Sequence, residues 1–330
     1  MRWTETSWPC WGVRGCSSAR RRDETETSGV ESHNVMRRPL LVCSLLCALA
    51  SSHGPVSAAS PSGRASLPPP VLTITGDPTS AAGATWTLTG TLDGTRVDLQ
   101  GILLKPRGKG PFPAVVLSHG AGGNAQSYGR RLGAVMRTWG LVCIATNYTH
   151  AGGVRLGTPG TRMDQGASAA NVFRAHAAVV VLARLGYVDS GRIAAHGHSM
   201  GAFVTTAFVA AYPRDVRVAS HTAGGVLLPG LIPVKGVPAP SVAEARRIST
   251  PYQWHHGLQD FAVPFFLDER FGSVVSGPHE GYVYRNLHHG GVAEDASVLK
   301  RIKAWYTAHG LFRRQPGRLS RKSVMSSDRG

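Results

Sequence analysis

Residues Arg192 to Pro213, RIAAHGHSMGAFVTTAFVAAYP, constrain this chain more than any other stretch. A short apolar run, Ile193-Ala194-Ala195, leads into Gly197-His198-Ser199-Met200-Gly201. A small, apolar, helix-competent segment follows, and Pro213 stops it. Strand, abrupt turn with serine at the apex, helix: this is the context that a G-x-S-x-G elbow requires. The turn is too sharp for Cβ atoms at the two flanking positions, and both are glycine. With 40 Gly among 330 residues the five-residue pattern says little alone, so the flanking run and helix carry the argument. A serine placed in this way becomes a nucleophile only if the rest of the chain supplies a base, an orienting acid and an oxyanion site.

A chain of 330 residues has room for one large α/β domain or two small ones. Its 42% hydrophobic and 17% charged residues exclude global disorder. A formal charge of +17 suits an acidic partner such as nucleic acid, a membrane surface or a polyanionic polysaccharide, but scattered arginines on a solvated surface account for it better. No Lys/Arg run with interleaved aromatics occurs, which argues against nucleic-acid binding. Of Cys10, Cys16, Cys43, Cys47 and Cys143, only Cys143 lies in the part that reads as globular, so no disulfide framework or C-x-x-C zinc site is available. In the run LVCIA, Cys143 reads as a small buried apolar residue. The Gly-rich segments show neither G-x-G-x-x-G after a strand nor a P-loop, and no cofactor is expected.

Residues 1–35 have mixed charge and no periodicity. Met36-Arg37-Arg38-Pro39, the apolar run Leu40 to Ala50 and a small-residue site around Ser57-Ala58 read as a signal peptide over 36–58. The run is far shorter than the roughly 20 apolar residues of a membrane span, so export to the periplasm or beyond is expected, with no stable membrane anchor. A signal peptide works from the N-terminus, which marks residues 1–35 as a non-native upstream extension and Met36 as the natural start. Residues 59–83 read as a Pro/Ser/Ala-rich linker, 84–312 as the folded domain and 313–330 as a basic disordered tail.

Within the domain, Thr85 to Pro106 alternates around Asp93-Gly94, a hairpin signal. Pro111 to Ser118 is a continuous apolar strand, followed by a helix over Gln126 to Trp139, a strand over Leu141 to Tyr148 and a helix over Ala167 to Leu185. Beyond the elbow, strands are expected at Val216–Ala219, Pro251–His256 and Gly281–Leu287, with a closing helix over Asp295 to His309. The fold class is α/β: a mostly parallel central sheet with helices on both faces and an antiparallel N-terminal hairpin.

Asp260 and His289 both fall just past strands downstream of Ser199, on the sheet edge where the serine sits. Asp268, Glu280 and Asp189 are rival acids with weaker placement, and His288 is the rival base. The pairs His255-His256 and His288-His289 do not make a metal site, because adjacent strand residues point to opposite faces. Tyr128, Tyr148 and Trp254 could line an acyl pocket or simply pack in the core.

The stretches GPFPAVVLSHGAGG, YVDSGRIAAHGHSMGA, STPYQWHHGLQDFAVP and LHHGG, in this order, resemble the dienelactone-hydrolase-like branch of the α/β-hydrolases, close to cutinase-like and acyl-peptidase-like serine hydrolases. The resemblance covers roughly Leu99 to Leu311. It departs from dienelactone hydrolase proper, whose nucleophile is cysteine, by having Ser199. The resemblance implies Ser199 as nucleophile, Asp260 as acid, His289 as base, and an oxyanion hole from the backbone amides of Met200 and Ala121. It thereby implies a serine esterase acting on a small or polymeric ester, and the signal peptide read over 36–58 makes that enzyme an exported one. The alternatives are a peptidase or amidase of the acyl-peptidase-like type, or a non-catalytic envelope binding protein that has kept the fold. The loops Thr149–Gln165 and Gly224–Ala245, rich in Gly and Pro, are expected to wall a groove without a large helical lid.

Overall fold

The computed structural model describes residues 68–153, 161–227 and 236–313. The expected upstream extension, signal peptide and basic tail, and the central residues of both groove loops, lie outside the described residues. Strands β1 (Val71–Thr75), β2 (Ala84–Leu92) and β3 (Thr95–Leu104) form an antiparallel meander. Leu92 pairs with Thr95, leaving Asp93-Gly94 as a two-residue turn with φ of 48° and 77°, the left-handed geometry that this dipeptide suits.

β1 corrects the expected linker over 59–83. It is a short edge strand with mostly exposed side chains, so it lacks the alternation that marks a half-buried strand. Its pairing with β2 and the hydrogen bond from Arg184 Nη1 to Pro70 O (2.8 Å) hold it, and neither is visible in a sequence window.

β4 (Phe112–Ser118), β5 (Val142–Thr146), β6 (Val188–His198), β7 (Val218–Thr222), β8 (Tyr252–Gln259) and β9 (His279–His288) complete the sheet, in the order β1-β2-β3-β5-β4-β6-β7-β8-β9. All pairings from β5 to β9 are parallel. Helices α1 (Ala125–Thr138), α2 (Ala169–Arg184), α3 (Met200–Ala211), α4 (Val242–Arg246), α5 (Phe265–Val274), α6 (Gly291–Glu294) and α7 (Ala296–Ala308) cover it. The apolar run of β4 is buried on both faces. Ala114 and Val116 enter a cluster with residues of α2 and α3, while Val115 and Leu117 enter a second cluster with α1 and α7. Cys143 is buried in that second cluster as a free thiol. Tyr128, Tyr148 and Trp254 also belong to the core.

The chain runs from β4 outward to β5 and then crosses back to β6 on the other side of β4. Loops after β4 and β6 therefore part at the carboxyl edge of the sheet, and such a switch point opens a crevice.

A clasp joins the hairpin to the helical layer. His176 on α2 meets Asp215 through Nδ1 (2.6 Å) and Asp93 through Nε2 (3.3 Å), with its ring stacked on Tyr212. Burial works against the imidazolium, but the hydrogen bonds and charges of Asp215 and Asp93 prevail and raise its pKa. A raised folded-state value makes this contribution complete below the unfolded value of about 6.5. It disappears as pH rises through the folded value. Urea titrations should show the wild type's advantage over His176→Gln at pH 6 and its shrinkage by pH 9; an advantage independent of pH would refute the charged clasp.

Candidate active site

Ser199 follows β6 directly and starts α3 with φ 59° and ψ −125°, a backbone region that few non-glycine residues occupy. The strain is held by tight packing around the turn. A methyl group on Gly201 would lie 2.0 Å from Ser118 O, and one on Gly197 would lie 2.2 Å from Gly201 O. The serine hydroxyl is thus lifted to the carboxyl edge of the sheet.

Asp260 follows β8, and His289 follows β9. His289 Nε2 lies 2.9 Å from Ser199 Oγ, and its Nδ1 lies 2.7 Å from Asp260 Oδ2. An ionised carboxylate only accepts, so Nδ1 carries the proton and Nε2 presents its lone pair to the serine hydroxyl. Asp260 Oδ1 accepts the amides of Ala262 (2.8 Å) and Val263 (2.9 Å), an Asx-type turn that orients the carboxylate. Burial opposes its ionisation, but the His289 hydrogen bond and charge and these two amides hold its pKa below the ordinary carboxylate range. His198 lays its ring against His289 at 4.7 Å between centroids and bonds Thr222 Oγ1 through Nδ1 (2.9 Å).

The rival residues are engaged elsewhere. His288 accepts the amide of Gly291 through Nδ1 (3.2 Å). Glu280 bonds Gln253 and Tyr282, and Asp189 pairs with Arg192 (2.7 Å). Asp268 is fully buried on α5 between His221 and His256. His255 and His256 point to opposite faces, bonding Tyr284 and Asp268 respectively, and no cluster of metal-binding side chains occurs among the described residues.

The loop after β4 passes over the serine: a methyl group on Gly120 would lie 3.1 Å from Ser199 Cβ. Two of the loop's amides are already engaged, Gly122 with His150 O (3.3 Å) and Gly123 with Gly120 O (3.2 Å). The amide of Ala121 donates to no acceptor among the described residues. The amide of Met200 belongs to the first turn of α3, where N–H groups lack helical partners and the dipole favours negative charge.

Two buried histidines clamp this loop, a role that no local sequence pattern marks. His119 Nδ1 donates to Gly120 O (2.9 Å), while its Nε2 accepts the Tyr148 amide (3.2 Å). His150 Nε2 donates to His119 O (3.1 Å), and its Nδ1 accepts from Asn171 Nδ2 (3.4 Å). One donor and one acceptor per ring require the neutral form, and burial in turn pushes His119 down to about 3 and His150 to about 4. The clamp therefore keeps its form across physiological pH. Asn124 continues it by capping α1, accepting the Ser127 amide (2.8 Å).

No protein-family model and no curated protein sequence matches the chain. Solved structures do. An acetyl xylan esterase from Paenibacillus sp. R4 superposes with a TM-score of 0.56 at 16% identity, covering 71% of this chain and 88% of the esterase. The α/β hydrolase GrgF from Penicillium sp. sh18 gives 0.54 at 18% identity, covering 68% and 98%. A puromycin-hydrolyzing peptidase from Mycobacterium tuberculosis gives 0.54 at 19% identity, and the match covers 73% of this chain but only 46% of the peptidase. With the strand order, the elbow and these superpositions together, the chain has the α/β-hydrolase fold.

Proposed function

We propose that the chain is a serine hydrolase that cleaves carboxylic esters. The observation that carries this reading is the unbroken line from Ser199 Oγ through His289 to Asp260, with contacts of 2.9 and 2.7 Å. His289 takes the serine proton as Oγ attacks the ester carbonyl. The amides of Met200 and Ala121 hold the oxyanion, each worth about 3 kcal/mol in such sites. The alcohol departs with the proton from His289, and water then cleaves the acyl-enzyme by the reverse proton route, while Asp260 keeps the imidazole oriented. Every group in the cycle belongs to the chain. Phe261, 87% exposed directly after Asp260, offers an apolar contact at the rim for part of the ester. Export rests on residues 36–58 alone and belongs to the same proposal.

Fluorophosphonate labelling with peptide mapping tests the nucleophile, and a p-nitrophenyl ester compared with the p-nitroanilide of the same acyl group tests the bond. A label on Ser199 with ester turnover well above anilide turnover is expected. Anilide turnover equal to or above ester turnover would move the assignment to a peptidase or amidase; the mycobacterial neighbour is named as a peptidase. A folded protein that takes no label would make it a binding protein on a hydrolase fold.

A further inference from the structure

Beside Asp260 lies a second ionisable group that the proposed cycle does not use. His256 on β8 is fully buried. Its Nδ1 lies 2.7 Å from Asp268 Oδ2 and its Nε2 lies 3.0 Å from Val263 O. Nε2 is also 3.7 Å from Asp260 Oδ2, the oxygen that His289 engages. A carbonyl can only accept, so Nε2 carries a proton. The remaining question is whether the proton between Nδ1 and Asp268 sits on nitrogen or oxygen. Asp268 Oδ2 also accepts the Gly224 amide (3.0 Å), and Oδ1 faces His221 Nε2 at 2.6 Å. A carboxylate so supplied with donors is an anion, and the proton belongs to His256.

We propose that His256 is a buried imidazolium, balanced by Asp268, that acts as a positioning residue for the reaction by holding the Asp260 turn and fixing Asp260 as a carboxylate. The inference rests on the reading of Ser199, His289 and Asp260 as the reacting set. The surroundings agree from each side. On α5, Asp268 supplies the counter-charge, and Phe265 lies edge-on to the ring at 5.6 Å. The turn after β8 supplies Asp260 and the Val263 carbonyl; Val263 also gives its amide to Asp260, so the ring and the carboxylate hold one loop between them. From β7, His221 reaches Asp268 with one nitrogen and meets the Tyr252 hydroxyl (3.0 Å) with the other, and a hydroxyl can donate there. His255, next in sequence, faces the opposite side. Beyond Asp260 stand His289 and, beside it, His198. Burial works against the charge on His256, but the bond and charge of Asp268, the charge of Asp260 and the Val263 carbonyl prevail and raise its pKa. Burial opposes Asp268 as well, and the two histidines hold it far below the ordinary carboxylate range.

Two measurements on the full chain test this. The first is long-range proton–nitrogen NMR of protein carrying labelled histidine, with the His256 ring assigned through its own backbone so that no variant is needed. Both ring nitrogens should carry protons at pH 7; a neutral His256 at pH 7 would overturn the proposal. The second is the pH profile of kcat/KM on a p-nitrophenyl ester. His256→Gln keeps a donor but removes the cation and leaves Asp268 unbalanced, so the midpoint of the acidic limb should rise by about half a pH unit. The double variant H256Q/D268N should show a smaller displacement, because the uncompensated anion is gone too. A uniform loss of rate with an unmoved midpoint in both variants would reduce His256 to a structural residue and overturn its role. A wild-type protein with the imidazolium in place but neither labelling nor turnover would instead refute the Ser199 reading, and with it the role given to His256, while the buried cation itself would stand.

Discussion

Ser199→Ala should leave a folded protein whose kcat/KM for a p-nitrophenyl ester has fallen by roughly 10⁴- to 10⁶-fold, the range for removing a nucleophile from a coupled serine, histidine and acid set. Folding should survive, because the side-chain hydroxyl of Ser199 bonds only His289 among the described residues. Alanine also costs little more than serine at the same strained φ of 59°. The loss falls in the chemical step. Without Oγ no acyl-enzyme forms, and what remains is the binding and oxyanion stabilisation that Met200 and Ala121 supply in the proposed cycle. Circular dichroism and the urea midpoint establish the fold, steady-state kinetics the loss, and fluorophosphonate labelling should vanish with it. Turnover within tenfold of wild type would sink the assignment of the nucleophile.

The second large effect concerns stability. Gly201→Ala should destabilise the protein by about 3 kcal/mol or more, because the added methyl would lie 2.0 Å from Ser118 O and 2.6 Å from His119 O. Both obstacles are backbone atoms of the chain leaving β4 and cannot rotate away. Gly94→Ala is the control: nothing lies within 4 Å of its added methyl, and only the positive φ of 77° counts against it, at about 1 kcal/mol. Urea unfolding of the two variants separates them. Equal losses would mean that the elbow relaxes and that the close contact between β4 and α3 is not what requires glycine. Since Ser118 and His119 lead into the loop above Ser199, Gly201→Ala should also lower turnover in whatever fraction folds.

Much of this architecture is legible in local patterns. β4 announces itself as an unbroken apolar run because both of its faces are buried, and the β2–β3 turn as Asp-Gly because that pair suits φ above zero. The serine is legible because strand, glycine-flanked turn and helix are adjacent in the chain. Asp260 and His289 are legible as residues just after strands, in the order that the resemblance implies. Helices α4 and α5 escape such a reading. α5 has only ten residues, begins after Pro264 without a side-chain cap, and mixes charged with apolar positions. With α5 goes Asp268, which by spacing looks like a rival acid and in the fold faces His221 and His256 instead. β1 escapes because its side chains are largely exposed and its stability comes from a ladder with β2.

The division follows from the range of the forces involved. By itself the sequence determined the strand and helix alternation, the elbow, the placement of Ser199, and Asp260 and His289 as its candidate partners, since each depends on neighbours within a few residues. Only the tertiary structure decided that His289 and not His288 reaches the serine, that His119 and His150 clamp the loop above it, and that His256 and Asp268 stand beside Asp260. Those outcomes depend on which ring nitrogen meets which donor or acceptor between residues 12 to 90 apart in the chain. A hydrogen bond is decided by a few tenths of an ångström, and that precision exists only once the sheet and its covering helices have packed.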